Sequence, residues 1–124
     1  MAILQRDIGR SGVASSVIGL GTWAIGGAMW GGPDDAGSCS AIAASLDAGI
    51  TLIDTAPGYG LGHAETLVGE VIRGRRDRVV LATKCGLNWH HGRGNYFFEQ
   101  YGAKVHRYLG QDGIEHELEE SLRR

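Results

Sequence analysis

The sequence predicts an α/β fold built on a parallel sheet. Three observations carry this. Short apolar runs alternate with helix-periodic segments in the order β-α-β-α-β-α. The segments between the runs are long enough to be helices, and such connections make right-handed crossovers between parallel neighbours. One run, Arg78-Val79-Val80-Leu81-Ala82-Thr83-Lys84, is nearly continuously apolar, as a strand covered on both faces is.

The elements follow in order. Between Leu4 and Val13, Gly9 and Ser11-Gly12 read as turn punctuation and predict a short hairpin ahead of the first main strand. That strand is Val17-Ile18-Gly19-Leu20-Gly21. A glycine-rich loop, Gly26 to Gly32, comes next. Pro33 suits a first helical turn, and Asp34 and Asp35 complement the helix dipole there. Cys39, Ile42, Ala43 and Leu46 give this helix one apolar face, and Gly49 closes it in the left-handed conformation. Thr51-Leu52-Ile53-Asp54 is a second strand ending in a carboxylate. The loop Thr55 to Gly62 leads to a second helix lined by Ala64, Leu67, Val68, Val71 and Ile72, stopped by Arg73 and Gly74. The third strand is 78–84, followed by a long polar and aromatic loop, Cys85 to Gln111. A third helix opens at Asp112, which has capping-box spacing to Glu115, and Ile114, Leu118 and Leu122 form a narrow apolar stripe on it.

Composition narrows the function. The 124 residues are 43% hydrophobic and 21% charged, too apolar for a disordered chain. Twelve basic residues against fourteen acidic ones give a net charge of −2, without the basic excess of a nucleic-acid binder. No apolar run is long enough for a membrane span, and the N-terminus lacks the pattern of a signal peptide. Cys39 and Cys85 are lone thiols, which fits a reducing, cytoplasmic setting. His90 and His91 are adjacent and lack a second ligand pair, so no metal site is expected. Arg73, Arg75, Arg76 and Arg78 read as a solvated turn. The glycines at 26–32 and 58–62 serve either tight loops or close backbone approach to a cofactor.

Charge at strand ends is the informative pattern. Asp54 ends the second strand, Lys84 ends the third, and Tyr59 lies in the loop beyond Asp54. In a (β/α)8 barrel, reacting groups come from the C-terminal strand ends and their loops. A phenol with a reference pKa of about 10 becomes a better proton-exchange group beside an ammonium, and a carboxylate keeps that ammonium charged and oriented. Tyr59, Lys84 and Asp54 together make a general acid for a carbonyl oxygen. No side chain donates a hydride, so a nicotinamide cofactor would have to supply it.

The run Gly49-Ile50-Thr51-Leu52-Ile53-Asp54-Thr55-Ala56, then Tyr59-Gly60, Glu65 and Gly69, resembles the aldo-keto reductases. Gly19-Leu20-Gly21-Thr22-Trp23, Ala82-Thr83-Lys84 and the stretch 117–124 strengthen the resemblance over nearly the whole chain. It implies an NADPH-dependent (β/α)8 (TIM) barrel oxidoreductase acting on a small carbonyl or sugar substrate. Asp54, Tyr59 and Lys84 fall on three catalytic positions, with Tyr59 the proton donor. Gly21, Thr22, Trp23 and Asp54 match the cofactor side, while Trp23, Tyr59 and Trp89 match the substrate pocket. Glu65 and Gly69 are expected to serve structure.

On this reading, residues 1–124 are a partial domain: a leading hairpin and about three βα units, cut within the third helix. The family's fourth catalytic residue, a histidine, is expected beyond Arg124, and the 124 residues alone are not expected to be a competent enzyme. Two other classes remain open. One is a non-catalytic or regulatory family member, or an inactive truncated product. The other is a small dinucleotide-binding module, because Gly19-Leu20-Gly21-Thr22-Trp23-Ala24 matches G-x-G-x-x-G/A, although more loop follows it before the first helix.

Overall fold

The computed structural model describes residues 3–124. A leading antiparallel hairpin pairs β1 (Gln5–Asp7) with β2 (Ala14–Ser16). The central sheet is parallel, in the order β3 (Gly19–Gly21), β4 (Leu52–Asp54), β5 (Val80–Ala82). Its register sets Gly21, Asp54 and Ala82 level at the C-terminal edge. Helix α1 (Asp35–Asp47) joins β3 to β4, and α2 (His63–Ile72) joins β4 to β5.

The core forms between the helices and the sheet. Ile42 of α1, Ile53 of β4, Leu67, Val68 and Ile72 of α2, and Val79 are buried together. Leu20, Ile25, Cys39, Leu46, Val71 and Leu81 pack against them. Each such side chain contributes about 1.5–3 kcal/mol when taken fully out of water. Asp34 caps α1 by accepting from the Gly37 N–H at 2.9 Å. Gly49, at φ +96°, turns the chain from α1 towards β4. The opposite end of the sheet is closed by the hairpin: buried Ser16 accepts from the Thr51 and Leu52 N–H groups and donates to the Ile18 carbonyl.

The strands are shorter than the apolar runs. Val17 and Ile18 are half exposed, and the Val17 N–H bonds back to Leu4 in the hairpin. Residues Arg76–Arg78 form a 3-10 turn, which takes the start of the third run out of the sheet.

The largest correction concerns 85–111, expected as a loop. It holds a three-stranded antiparallel sheet in the order β6 (Leu87–Asn88), β8 (Ala103–Arg107), β7 (Asn95–Gln100). Two features hid it. A bulge between Tyr96 and Phe98 breaks the alternation along β7. The β7–β8 turn uses Tyr101 and Gly102, both at positive φ (51° and 77°), where asparagine would have been the stronger signal.

Helix α3 (Gln111–Arg123) also differs from expectation. Its N-cap is Gly110, which offers no side chain, and Asp112 lies inside the first turn. The Asp112 carboxylate instead accepts from the Tyr108 hydroxyl at 2.8 Å and from Arg93 at 2.5 Å, tying the helix to the antiparallel sheet. Glu115 takes the Gln111 side chain rather than a backbone N–H. The apolar stripe faces solvent: Ile114, Leu118 and Leu122 are 38%, 55% and 77% exposed. The buried face of α3 is Gly113 and Glu117. Among the described residues no helix is long and apolar enough to cross a membrane.

Candidate active site

The parallel register delivers two opposite charges to one edge. Asp54 is the last residue of β4, and Lys84 stands two residues past the end of its neighbour, β5. The Lys84 ammonium donates to both Asp54 carboxylate oxygens at 3.0 Å and to the Thr55 carbonyl at 2.8 Å. Three acceptors around one ammonium fix its position, although both side chains remain about half exposed. Partial burial draws the Lys84 pKa down, but the hydrogen bonds and charge of Asp54 and Tyr59 outweigh it, so it lies above the ordinary lysine value. Lys84 is therefore an ammonium throughout the neutral range.

Tyr59 reaches the same point from the loop after β4. The Lys84 nitrogen sits 4.9 Å from the centre of the Tyr59 ring. Glycines hold this loop. A Cβ on Gly26 would lie 2.6 Å from the Tyr59 carbonyl carbon and 2.7 Å from the Gly60 nitrogen. A Cβ on Gly60, itself at φ +70°, would meet the Gly26 oxygen at 2.5 Å. The two glycine-rich loops thus meet backbone against backbone, and this contact seats Tyr59.

The residues matched to the cofactor side fall in two places. Gly21 lies level with Asp54 on the neighbouring strand. Thr22 is fully buried, and both its N–H and its hydroxyl donate to the Asp54 carbonyl at 3.0 Å. It therefore locks the backbone of Asp54 and presents no free hydroxyl. Trp23 is half exposed and meets Trp30 edge to face at 5.8 Å.

A cleft of about 830 Å3 opens beside Tyr59 and Lys84. Trp23, Met29 and Tyr59 line it from the parallel side, and Leu87, Phe97 and Phe98 from the antiparallel sheet. The exposed thiol of Cys85 is also on its wall. Trp89, expected on the pocket wall, does not line the cleft; its indole packs against His90 at 5.1 Å. The reason is the short β6, after which Asn88 ties the chain into a turn by accepting from the His90 and His91 N–H groups.

Two buried carboxylates support the site. Glu65 accepts from Thr83 at 2.6 Å, Ser121 at 2.9 Å and Arg124 at 2.7 Å, joining α2, the end of β5 and α3. Glu117 was missed by the sequence reading. It accepts from the N–H groups of Gly86 (2.5 Å) and Leu87 (3.1 Å), fixing the chain just past Lys84. Burial raises the Glu117 pKa, those two hydrogen bonds pull it back, and the net direction is upward. A usable signal existed: Gly113, Glu117 and Ser121 recur at i, i+4, i+8, a small and polar face beside the apolar stripe.

Among the described residues no group of three or more His, Cys, Asp or Glu side chains is placed to hold a metal ion. The cleft offers a flat aromatic surface beside Tyr59 and Lys84, which a planar ring such as that of a nicotinamide could lie against. Trp23 and Tyr59 provide it, with Gly21 and Thr22 shaping the strand end beneath. Among the described residues Lys84 is the sole cation lining the cleft, and Asp54 already engages it, so these residues are no phosphate cradle.

A parallel βα sheet with charged side chains gathered at its C-terminal edge is the arrangement that (β/α)8 barrel enzymes use; here the sheet is open. The chain belongs to the aldo/keto reductase family, whose model matches residues 17–124. It is 49% identical over 120 residues to aldo-keto reductase YhdN of Bacillus subtilis, covering 95% of this chain and 33% of that protein. It is 38% identical over 120 residues to the NADH-specific methylglyoxal reductase of Escherichia coli, covering 94% of this chain and 36% of that protein. A solved aldo/keto reductase from Klebsiella pneumoniae, in complex with NADP and acetate, is similar with a TM-score of 0.64 and 36% identity, over 90% of this chain and 31% of that one. The chain spans about a third of the length of the curated relatives it matches.

Proposed function

We propose that the protein carrying this chain is an oxidoreductase that reduces an aldehyde or ketone with a nicotinamide dinucleotide, and that Tyr59 delivers the proton. The observation that supports this best is the ammonium of Lys84, held between Asp54 and Thr55 and set over the Tyr59 ring at the wall of an open cleft.

The residues divide the work. Tyr59 donates a hydrogen bond to the carbonyl oxygen and passes its proton to the forming alkoxide. Lys84 stabilises the phenolate left behind, and its charge also draws electron density towards the polarised oxygen. Asp54 keeps Lys84 charged and aimed, and Thr22 keeps Asp54 in place. When bound, the dinucleotide supplies the hydride that reaches the carbonyl carbon.

NADPH is the finer proposal, supported by the NADP complex of the Klebsiella pneumoniae relative. The NADH specificity of the Escherichia coli relative makes the phosphate preference a separate question from the trio. A cytoplasmic setting goes with this reading, since Cys39 and Cys85 are both free thiols.

The test uses the full-length protein and follows oxidation of NADPH, then NADH, against a panel of aldehydes. Tyr59→Phe is expected to lower kcat about 10²- to 10⁴-fold while dinucleotide binding is kept. Wild-type turnover in Tyr59→Phe would overturn the assignment of the proton donor.

A further inference from the structure

The β7–β8 hairpin stands across the cleft from Trp23, and its construction is specific. The bulge at Phe97 breaks the strand alternation, so the consecutive residues Phe97 and Phe98 both line the cleft. Bulges re-aim side chains in this way beside binding sites. The two rings meet edge to face at 5.0 Å, and the Arg107 guanidinium covers the Phe97 ring at 3.7 Å, which braces the pair.

The hairpin is also tied down. From its turn, at φ +51°, Tyr101 donates its hydroxyl to the Gly26 carbonyl at 3.3 Å. Gly26 is the residue whose backbone packs against Tyr59 and Gly60. One hydrogen bond therefore connects the aromatic wall to the loop that seats Tyr59. The cleft is otherwise acidic where it is charged: Glu99 and Glu117 lie on its wall beside the engaged Lys84.

We propose that this hairpin, latched by Tyr101 to Gly26, is a specificity wall that selects uncharged carbonyl compounds bearing an aromatic ring. Phe97, Phe98 and Trp23 offer ring faces and edges to such a substituent. Glu99 repels a carboxylate carried by the substrate. Tyr101 is a positioning residue: it sets the distance between the wall and the reacting end of the cleft. This rests on the carbonyl-reductase reading above and deepens it.

The experiment compares benzaldehyde, para-carboxybenzaldehyde and methylglyoxal as substrates of the full-length protein, in the wild type, Tyr101→Phe and Phe97→Ala. Binding of benzaldehyde is read separately, by quenching of tryptophan fluorescence. Wild type is expected to prefer benzaldehyde over both others by about tenfold or more in kcat/KM, as a hydrophobic pocket allows. Tyr101→Phe, which keeps the ring and loses the latch, is expected to lower the benzaldehyde-to-methylglyoxal ratio about fivefold, through KM more than kcat. Phe97→Ala, at an exposed bulge position, is expected to lower it about tenfold.

Equal wild-type preference for benzaldehyde and methylglyoxal, or ratios unmoved in both variants, would overturn the wall. If no carbonyl is reduced at all, the proposed activity falls and the binding series still judges the wall. About tenfold weaker benzaldehyde binding in Phe97→Ala would support it, and unchanged binding would overturn it.

Discussion

In the parallel sheet, each strand is three residues long, and Ile53 is buried with Leu20 and Leu81 packed beside it against α1 and α2. In the antiparallel sheet, β7 is twice as long, and its Tyr96 and Phe97 remain 59% and 43% exposed. The first region works through backbone register: Gly21, Asp54 and Ala82 stand level, so the charges beyond them meet. A one-residue slip there would turn Asp54 to the other face. The second region works through side chains on a hairpin that tolerates a bulge, so its surface can change while its pairing persists. On the proposed reading, chemistry sits on the parallel sheet and selectivity on the hairpin, the division expected of loops carried by a scaffold.

Four substitutions sharpen this division. Lys84→Met should separate site from scaffold most clearly. It should lower kcat for carbonyl reduction about a hundredfold or more. The melting temperature should move little, because both partners of the ion pair are about half exposed. Steady-state kinetics with thermal unfolding checks both halves.

Glu65→Ala should do the reverse. It leaves the Arg124 guanidinium, 16% exposed, without its buried carboxylate, and strips the Thr83 and Ser121 hydroxyls of an acceptor. The expected loss is about 3–5 kcal/mol, measured by denaturant unfolding.

Gly26→Ala touches both regions. Its Cβ would meet the backbone of Tyr59 and Gly60 within 2.7 Å, so the loops must part. A destabilisation of about 1–3 kcal/mol is expected. A larger fractional loss of turnover than the unfolded fraction explains would show that Tyr59 had moved.

Glu117 gives the smallest effect, readable as a pH dependence. Its pKa in the folded chain is above the ordinary 4.5, so the folded form binds the proton more tightly than the unfolded form. Its contribution to stability therefore rises as pH falls through the raised pKa towards 4.5, and is least favourable at neutral pH. Glu117→Gln should flatten that rise on the acid side of neutrality, above pH 4.5, seen in melting temperature against pH. An unchanged slope would mean that another group governs it.

The parallel core was legible in the sequence because its signals are local and redundant. Apolar runs, helix spacing at 39–46 and 64–72, and glycine stops all agree. Asp54, Tyr59 and Lys84 were legible as candidates, and the structure brings the three together. Two things were not legible. The antiparallel sheet was masked by the bulge at Phe97 and by Tyr101 in a turn position that favours asparagine. The buried face of α3 was masked because it is polar: Glu117 and Ser121 find their partners in Gly86, Leu87 and Glu65, which periodicity cannot foresee. Trp89 was assigned by likeness of position, and the turn at Asn88 sends it away from the cleft.

Glu65 has a consequence for the order in which the chain assembles. Its three partners lie 18, 56 and 59 residues away along the sequence. The helix and strand neighbours around it can form early, because short loops close cheaply. The links to Ser121 and Arg124 close about three times as much chain as the link to Thr83, so they are expected to form after it. Contacts absent from the transition state act on the rate of unfolding. If that order holds, Glu65 acts as a lock: Glu65→Ala should speed unfolding more than it slows folding, as the two arms of a denaturant chevron would show.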